Sequence, residues 1–197
     1  MREADYPGTF IVIEGADGAG TTTVSKKIAD EMDAFYTFEQ TDNPVGNKID
    51  EMISGDKHSP EAIALTFASD RMIHLEEEIL PRLENGETVI CDRYYHSSLV
   101  YQVTMGLEFD WVKSLNKAAL MPDLTIVLDV SAETGMERVE SRGPDDNIFE
   151  QLSFQEKVVA GYRRLDEKLV GNVKYVDASD PVEQVFENAM LQIDKMS

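Results

Sequence analysis

Short apolar runs alternate with longer amphipathic segments along the whole chain. Apolar runs of this length predict strands, and a helical spacing of apolar residues predicts helices. The expected strands are 9–14, 34–39, 87–91, 124–129 and 173–177, and the expected helices are 22–32, 44–54, 60–84, 109–120, 132–142, 149–170 and 181–195. Such alternation is typical of an α/β fold, in which a mainly parallel sheet is covered on both faces. We therefore predict a single three-layer α/β/α domain over residues 1–197.

A proline interrupts the longest of these helices. Pro81 falls inside the segment 60–84. Proline lacks a backbone N–H group, and its ring clashes with the preceding helical turn. We therefore expect this helix to kink or to end near Leu80.

The chain is strongly acidic, with 38 acidic and 18 basic residues and a formal net charge of −20. A surface of this charge repels nucleic acid polymers and anionic membranes, so we expect neither as a partner. The acids are spread along the sequence, so an acidic tail does not explain them. Because salt screens the repulsion between surface charges, we hypothesise a cytoplasm of high salt concentration. The alternative is an acidic protein from an ordinary cytoplasm.

The sequence shows no sign of export or membrane insertion. No apolar run approaches the roughly 18 residues of a membrane span, and the first residues lack the apolar segment of a secretory signal. Cys91 is the single cysteine, so an internal disulfide is impossible, and its apolar neighbours predict a buried free thiol. These features predict a cytoplasmic protein.

The segment Gly15–Thr22 has the composition of a phosphate-binding loop. It follows the first expected strand and precedes the first expected helix, which is the context that the pattern G-x-x-x-x-G-K-[ST] requires. Glycines let backbone N–H groups approach a phosphate, and the helix adds its positive N-terminus. Thr22 occupies the hydroxyl position that usually ligates Mg²⁺. The alternative, a glycine-rich turn without a ligand, leaves the flanking strand and helix unexplained.

The lysine of this pattern is missing, because Thr21 stands in its place. Threonine can donate one hydrogen bond but carries no charge. Lys26 lies further along the same helix, about 7.5 Å down its axis, and Lys27 follows it. We expect both lysines to be solvated at the surface, so a replacing cation has to come from elsewhere in the chain.

Asp92 and Arg93 follow a short apolar run and stand at the carboxyl end of an expected central strand. In open α/β sheets this edge lines the ligand crevice. A carboxylate there can hold Mg²⁺ directly or through water, and the neighbouring arginine can bind phosphate. A surface ion pair at a strand end is the alternative. Behind a phosphate-binding loop, the pair favours a nucleotide site.

Four motifs, in order and at matching spacing, make the sequence resemble the thymidylate kinase family. The family pattern E-G-x-D-G-x-G-K-[ST]-T corresponds to Glu14–Thr23, L-x-F-x-A-[DN]-R to Leu65–Arg71, D-R-[YH]-x-x-S-x-x-A-Y-Q to Asp92–Gln102, and P-D-L-x-[IV]-x-L-D-V to Pro122–Val130. The resemblance runs from the loop to about residue 177 and so covers most of the chain.

The resemblance implies the fold of a P-loop nucleoside monophosphate kinase, with a five-stranded parallel sheet and a short helical lid near 137–150. It implies transfer of a phosphoryl group from ATP to dTMP, giving ADP and dTDP, with Mg²⁺ as the metal. It also implies a homodimer. Phosphoryl transfer needs positioning and charge more than covalent chemistry. We therefore expect the acceptor phosphate to attack without a side-chain nucleophile.

At the donor side, the resemblance implies that ATP contacts the loop. The residues expected to bind it are Gly15, Ala16, Asp17, Gly18, Ala19, Gly20, Thr21, Thr22 and Thr23, together with Arg138 of the lid. Thr22 and Asp92 are expected to hold the metal, and Asp17 to lie near the metal or the 3′-hydroxyl of the acceptor sugar. Asp92 and Arg93 are expected to serve the metal and the acceptor phosphate.

At the acceptor side, the resemblance implies that Phe67 stacks on thymine and that Arg71 hydrogen-bonds an exocyclic oxygen of the base. Ser98 and Gln102 are expected at the base edge, and Tyr101 against the sugar where a 2′-hydroxyl would sit. An aromatic face with polar groups at the base edge is how proteins select a base. On spacing alone both aromatic residues would be core residues. The motifs favour the functional interpretation, more decisively for Phe67.

The segment beginning at Glu137 resembles the start of the family's lid. Arg138 and Arg142 are four residues apart, so a helix would place them on one face. Arginines on a mobile lid stabilise charge on the transferring group. For Arg138 the alternative is an exposed arginine that balances Glu137 and Glu140, whereas for Arg142 we favour contact with phosphate. Some family members carry a basic residue at the position of Gly18, whereas others carry glycine there and rely on lid arginines. In this respect the chain resembles the second group.

Three departures from the family pattern remove positive charge. Thr21 replaces the lysine, the segment 38–44 lacks the arginine expected before the second helix, and no basic residue follows Arg142 until Lys157. Loss of one preorganised donor typically costs on the order of 10²–10³ in rate. Because the other motif residues are present, we predict an active kinase in which Arg142 and Arg93 supply the missing charge.

Two other functions are compatible with the sequence. One is a kinase for another pyrimidine nucleoside monophosphate, because the altered segment 38–44 touches the acceptor side. The other is a catalytically inactive nucleotide-binding protein, because the missing cations are those that stabilise the transferring phosphoryl group.

Overall fold

Five parallel strands form one sheet in the part of the chain that the computed structural model describes, which is residues 1, 5–54, 57–141, 149, 151–169 and 171–196. The strands are β1 (Thr9–Gly15), β2 (Phe35–Phe38), β3 (Thr88–Asp92), β4 (Leu124–Asp129) and β5 (Val173–Asp177), in the order β2-β3-β1-β4-β5. Every neighbouring pair is parallel. The predicted α/β class and all five predicted strands are confirmed.

Helices connect the strands. Within the described residues they are α1 (Thr21–Met32), α2 (Pro44–Ile53), α3 (Pro60–His74), α4 (Leu80–Glu84), α5 (Tyr95–Thr104), α6 (Phe109–Leu115), α7 (Ala132–Glu140), α8 (Leu152–Tyr162), α9 (Leu165–Lys168) and α10 (Val182–Ile193). A π-helical segment, Leu75–Ile79, joins α3 to α4, and a short 3-10 turn, Asp194–Met196, follows α10. Parallel strands need crossover connections of this kind.

Two predicted helices differ from the structure, and one helix was not predicted. The helix predicted at 109–120 ends at Leu115, and the one predicted at 149–170 contains two helices, α8 and α9. Leu165 and Leu169 are buried beyond the end of α8, so the apolar spacing continues across the break. Helix α5 was not predicted, because seven of its ten residues are buried. A helix that is buried nearly all round has no clear amphipathic period.

The long helix continues through Pro81. The π-helical segment precedes the proline and α4 runs on to Glu84. Of the two expected outcomes, an end of the helix near Leu80 is therefore wrong, and a kink there stays a prediction. Pro81 stands in the first turn of α4. The π-helical segment lies shortly before the proline, where the helical hydrogen-bonding pattern has already changed, so the missing N–H group of Pro81 interrupts no regular α-helical pattern.

Alternate side chains of β1 face two separate apolar cores. Phe10 and Val12 pack with residues of α2, α3, α5 and α8, whereas Ile11 and Ile13 pack with residues of α1 and α10. All four side chains are at most 1% exposed. The sheet is therefore covered on both faces, and it holds the carboxyl ends of β1 and β3 side by side, with Ile13 paired to Asp92. None of the described helices is long and apolar enough to span a membrane.

Candidate active site

The loop between β1 and α1 turns back on itself directly before the helix. The Ala19 N–H donates to the Ala16 carbonyl at 3.1 Å. Gly18 and Gly20 have left-handed backbones, with φ of 76° and 91°, which glycine adopts without a steric penalty. Because α1 begins at Thr21, the free N–H groups of its first turn are available at the loop.

A cavity of about 890 Å³ opens beside this loop. The predicted site residues that line it are Asp17, Gly18, Gly20, Thr21, Thr22, Thr23, Phe67, Arg71, Arg93, Ser98, Tyr101 and Gln102. Its lining also includes residues that the sequence did not single out, among them Glu39, Gln40, Asp50 and Phe149. The volume is typical of small-molecule sites. The fold thus brings the predicted donor and acceptor residues into one cavity.

Six predicted site residues are not in this lining. Gly15, Ala16 and Ala19 are buried within the loop, Asp92 accepts a hydrogen bond from Thr22, and Arg138 donates one to the Gly18 carbonyl. Arg142 lies outside the described residues, as does most of the predicted lid at 137–150. The predicted contact of Arg142 with phosphate therefore stays a prediction.

Arg93 is fixed against the loop. Its backbone is left-handed, with φ of 67°, a conformation that costs a residue other than glycine about 1 kcal/mol or more. Nη1 donates to the Gly15 carbonyl at 2.8 Å, and Nη2 donates to Asp17 Oδ1 at 2.8 Å. The Tyr101 hydroxyl donates to the same oxygen at 2.8 Å. The side chain is 22% exposed, so the oriented guanidinium can still meet a ligand.

Glu14 is a buried carboxylate next to Arg93. It accepts hydrogen bonds from the Ser97 N–H at 3.1 Å, the Ser97 hydroxyl at 2.7 Å and the Tyr162 hydroxyl at 2.9 Å. Burial by itself raises the pKa of Glu14. Interaction with His96, whose Nδ1 lies 3.7 Å away, and with Ser97 and Arg93 outweighs burial and holds that pKa below its ordinary value. Glu14 therefore remains charged and adds a negative charge beside the guanidinium.

Thr22 and Asp92 meet where β3 ends below the first turn of α1. Thr22 Oγ1 donates to Asp92 Oδ2 at 2.5 Å, and the Tyr36 hydroxyl lies 3.5 Å from the same oxygen. Among the described residues, the buried Asp92 Oδ1 has no hydrogen-bond partner. Carboxylate and hydroxyl oxygens are ligands that Mg²⁺ accepts. The two residues fit a magnesium site.

This metal site would need ligands beyond the protein. In the described ranges no group of three or more His, Cys, Asp or Glu side chains could hold a metal ion. Mg²⁺ in nucleotide sites is commonly held by one or two protein groups together with phosphate oxygens and water. The arrangement therefore suits a metal that arrives with a nucleotide.

Arg71 is buried in the wall of the cavity. Nε donates to Glu39 Oε2 at 2.8 Å, Nη2 lies 2.6 Å from the same oxygen, and Nη1 donates to Asn116 Oδ1. These contacts use three of the five N–H groups of the guanidinium. Because Glu39 offsets its charge, the remaining N–H groups suit a neutral acceptor, such as a base carbonyl, better than a phosphate.

Gln102 places a hydrogen-bond acceptor in the same wall, where Arg71 places donors. It is 2% exposed, and its Oε1 has no hydrogen-bond partner in the described part of the chain. Leaving a buried acceptor unpaired typically costs about 1–3 kcal/mol, so a ligand N–H that reaches it is favoured. With the half-buried ring of Phe67, the wall offers an aromatic face, a donor and an acceptor. These groups suit a pyrimidine that carries a carbonyl next to an N–H.

Arg138 contacts the loop from α7. Nη1 donates to the carbonyl groups of Gly18 at 3.3 Å and Ala178 at 3.0 Å. The arginine therefore does more than balance Glu137 and Glu140, because it ties α7 to the loop. Its predicted contact with ATP stays a prediction.

The two lysines of α1 lie at the surface, as expected. Lys26 is exposed and its Nζ lies 5.3 Å from the centre of the Tyr36 ring. Lys27 Nζ lies 3.7 Å from a carboxylate oxygen of Glu183. Neither lysine is in the cavity lining, so neither takes the place of the missing loop lysine.

The described lining carries little free positive charge. Arg71 and Arg93 are its basic residues, and they are paired with Glu39 and Asp17. Thr21, at the lysine position, is 6% exposed. A ligand phosphate that binds here would have to share Arg93 with Asp17.

Comparisons with known proteins identify the family. A family model described as thymidylate kinase matches residues 13–189. A probable thymidylate kinase of Methanococcus maripaludis is 42% identical over 184 residues, which is 90% of each chain. The chain belongs to the thymidylate kinase family. A probable thymidylate kinase of Pyrococcus abyssi is 40% identical over 192 residues, 92% of this chain and 93% of the relative. One of Thermococcus kodakarensis is 36% identical over 201 residues, 95% and 98% of the two chains.

In this member of the thymidylate kinase family, several residues outside the four sequence motifs hydrogen-bond the motif residues, and the sequence did not predict them. Glu39, Asn116 and Tyr162 hydrogen-bond the motif residues but stand in no motif. Gln155 does so from the apolar face of α8, which it shares with Val158. A polar residue at an apolar position of a helix was the signal that could have revealed Gln155.

Proposed function

We propose that the protein transfers the γ-phosphoryl group of ATP to dTMP and releases ADP and dTDP. Membership of the thymidylate kinase family supports this reaction. The observation that carries it in this chain is the shared cavity, which is lined by the phosphate-binding loop, by Arg93 bound to that loop, and by a wall suited to a pyrimidine.

In this proposal the protein acts by binding and orienting its substrates. Backbone N–H groups of the loop and the N-terminus of α1 bind the phosphates of ATP. Phe67, Arg71 and Gln102 hold the base, and Arg93 orients the acceptor phosphate toward the γ-phosphorus. An oxygen of the acceptor phosphate bonds to the γ-phosphorus as the bond between the γ-phosphorus and the β,γ-bridging oxygen breaks, so ADP leaves with that oxygen and no covalent enzyme intermediate forms. Arg142 is proposed to add positive charge to the transferring group.

Mg²⁺ is proposed to be held by Thr22 and Asp92 together with phosphate oxygens. When bound, this metal offsets the negative charge of the phosphates. The short contact between Thr22 and Asp92 and the unpartnered Asp92 Oδ1 support the assignment.

Steady-state release of ADP with dTMP, dUMP, UMP and CMP tests the function. We expect kcat/KM for dTMP to exceed that for the other acceptors by at least about tenfold, since one mismatched group in a pocket is typically worth tenfold or more. Preference for another nucleotide would contradict the assigned acceptor. Retained ATP binding without turnover at any KCl concentration would instead indicate an inactive nucleotide-binding protein.

Assembly and location are further proposals. We propose a homodimer on the basis of the family resemblance, and sedimentation equilibrium would measure its mass. We also propose a cytoplasmic enzyme, because the single, buried Cys91 leaves no internal disulfide to form.

The acidic surface predicts a stability that depends on salt. With a net charge of −20, we expect the melting temperature to rise by roughly 5 °C or more between 0.1 and 2 M KCl, because screening weakens the self-repulsion of the folded state. Differential scanning calorimetry measures the shift. Sorbitol at matched osmolarity is the control, because it is excluded from protein surfaces but screens no charge. A flat melting temperature in KCl would contradict the high-salt hypothesis.

The close contact between Gly135 and the phosphate-binding loop predicts that a larger residue at position 135 lowers both stability and ATP affinity. A Cβ atom on Gly135 would lie 2.4 Å from the Asp17 carbonyl oxygen. Gly135→Ala should therefore lower the free energy of unfolding by about 1–3 kcal/mol, although alanine normally favours helices. It should also weaken ATP binding about tenfold, or about 1.4 kcal/mol, because the loop has to move.

Calorimetric titration with ATP would measure this affinity. Gly161→Ala is the matched control, because its Cβ would meet the side chain of Val100 at 3.0 Å rather than a backbone atom of the loop. The control should lose stability while keeping its affinity for ATP. Equal ATP affinities of the Gly135 variant and the wild type would contradict the role of this contact.

A further inference from the structure

Helix α8 carries two buried polar side chains toward the cavity. Gln155 and Tyr162 are seven residues apart, two helical turns, and so lie on one face. They are 1% and 3% exposed. The Tyr162 hydroxyl reaches Glu14 at 2.9 Å and lies 3.4 Å from Nη1 of Arg93. One face of α8 therefore supports the charged groups of the site from behind.

Gln155 contacts Asp17 at two points. Its Nε2 donates to Asp17 Oδ2 at 2.7 Å, and its Oε1 lies 3.4 Å from the Asp17 backbone nitrogen. Its Nε2 also donates to the Phe149 carbonyl at 3.0 Å. The amide thus uses both of its N–H groups. Since burying an amide is unfavourable unless it is hydrogen-bonded, this set of partners accounts for a glutamine at an apolar position of α8.

The Asp17 carboxylate is consequently held from both sides. Oδ2 accepts from Gln155, while Oδ1 accepts from Arg93 and Tyr101, each at 2.8 Å. Asp17 and Arg93 are partly exposed and line the cavity. Rotation of the carboxylate would disturb the hydrogen bond that Arg93 Nη2 donates to Oδ1, and only the bond from Nη1 to the Gly15 carbonyl would then hold the guanidinium to the loop. The hydrogen bond from Gln155 to Oδ2 opposes that rotation, although Gln155 is not in the cavity lining.

We propose that Gln155 is a positioning residue for phosphoryl transfer. It fixes the Asp17 carboxylate and, through it, the direction in which Arg93 meets the acceptor phosphate. This role rests on the proposed kinase function. A displacement of about 1 Å at a reacting group can cost on the order of 10² in rate, so the effect belongs in kcat rather than in ATP binding.

Gln155→Met tests the role, because methionine keeps the side-chain length and removes the hydrogen bonds. We expect kcat with ATP and dTMP to fall by about 10- to 100-fold, while the KM for ATP stays within about threefold of the wild-type value. Gln151→Met is the matched control, since Gln151 is exposed at the start of the same helix and makes no side-chain cap. The control should keep wild-type kinetics. An unchanged kcat of Gln155→Met, with only a lower melting temperature, would overturn the proposal.

A double-mutant cycle tests whether the effect passes through Asp17. In an Asp17→Asn background, Gln155→Met should lower kcat by less than about threefold further, because the carboxylate it orients is gone. Full additivity of the two losses would overturn the proposal. Should the methionine variant fail to fold, Gln155→Asn serves instead, because it keeps a polar amide but is too short to reach Asp17, and the same kcat loss is expected.

The test separates this proposal from the proposed function. Absence of turnover in the wild-type protein would refute the kinase assignment. The positioning role would then be measured by calorimetric binding of dTMP, for which Gln155→Met should weaken affinity about tenfold and Gln151→Met should not. Equal dTMP affinities of the two variants would overturn the positioning role in that case.

Discussion

Arg93→Met is expected to lower kcat/KM for dTMP phosphorylation by about 10³. Within the described lining, Arg93 is the basic residue that contacts the loop, and its Nη1 and Nη2 reach Gly15 and Asp17. Burial lowers the pKa of its guanidinium, but interaction with Tyr101, Tyr162 and Asp17 outweighs burial and raises that pKa well above its ordinary value. The charge is therefore present at every pH at which the enzyme works. Because charge develops during transfer, most of the loss should fall on kcat.

Steady-state kinetics with ATP and dTMP would measure the effect. Arg164→Met is the matched control, because Arg164 is an exposed arginine that pairs with Glu167 at 3.1 Å. It should keep kcat/KM within about twofold, since surface pairs contribute little. Arg93→Lys should recover only part of the activity, because lysine lacks the planar fork that reaches two partners. A loss below tenfold for Arg93→Met would mean that another cation carries the charge.

Glu14→Gln is expected to lower the free energy of unfolding at pH 7 by about 3 kcal/mol. Both oxygens of this buried carboxylate accept hydrogen bonds, and the group is fully buried. A glutamine would turn one N–H₂ group toward these donors and would remove the charge that faces His96. For a chain of this size the melting temperature should fall by about 10 °C.

The effect of Glu14 should depend on pH with a defined sign. The pKa of Glu14 is lower in the folded protein than its ordinary value, so the unfolded chain takes up a proton first as the pH falls. The stabilisation is complete above the ordinary carboxylate range and is lost as the pH falls through the folded pKa. The difference between wild type and Glu14→Gln should therefore shrink toward acid pH.

Urea denaturation at several pH values would test this sign. Glu167→Gln is the control, because the Glu167 side chain is 60% exposed. It should change the free energy of unfolding by less than about 0.5 kcal/mol at any pH. A difference between wild type and Glu14→Gln that is independent of pH would contradict a charged Glu14 in the fold.

Local patterns were sufficient for much of the fold. Strands β1 and β4 were predictable because burial on both faces makes short continuous apolar runs. Helix α5 was not, because it is buried nearly all round and shows no period. The break between α8 and α9 was missed because apolar residues continue past it. The spacing of apolar residues shows which positions are buried. It does not show whether one continuous helix or two successive helices bury them.

Short sequence motifs were likewise sufficient to predict many individual residues of the candidate site. Gly18, Gly20 and Thr22 belong to a motif that could be recognised from a short segment, because the phosphate-binding loop and the helix N-terminus that it uses are adjacent in sequence. Phe67 and Gln102 were predicted by resemblance, and the structure places both in the cavity lining. Their roles toward dTMP remain predictions until a ligand is measured.

The sequence by itself determined the α/β class, the phosphate-binding loop and the absence of its lysine, because these depend on local periodicity and on residues close along the chain. Only the tertiary structure decided which charges are paired. Arg71 meets Glu39 across 32 positions, Arg93 meets Asp17 across 76, and Gln155 meets Asp17 across 138. Partners so distant are selected by burial, because a charged or polar group removed from water has to be satisfied by whichever group the fold brings beside it.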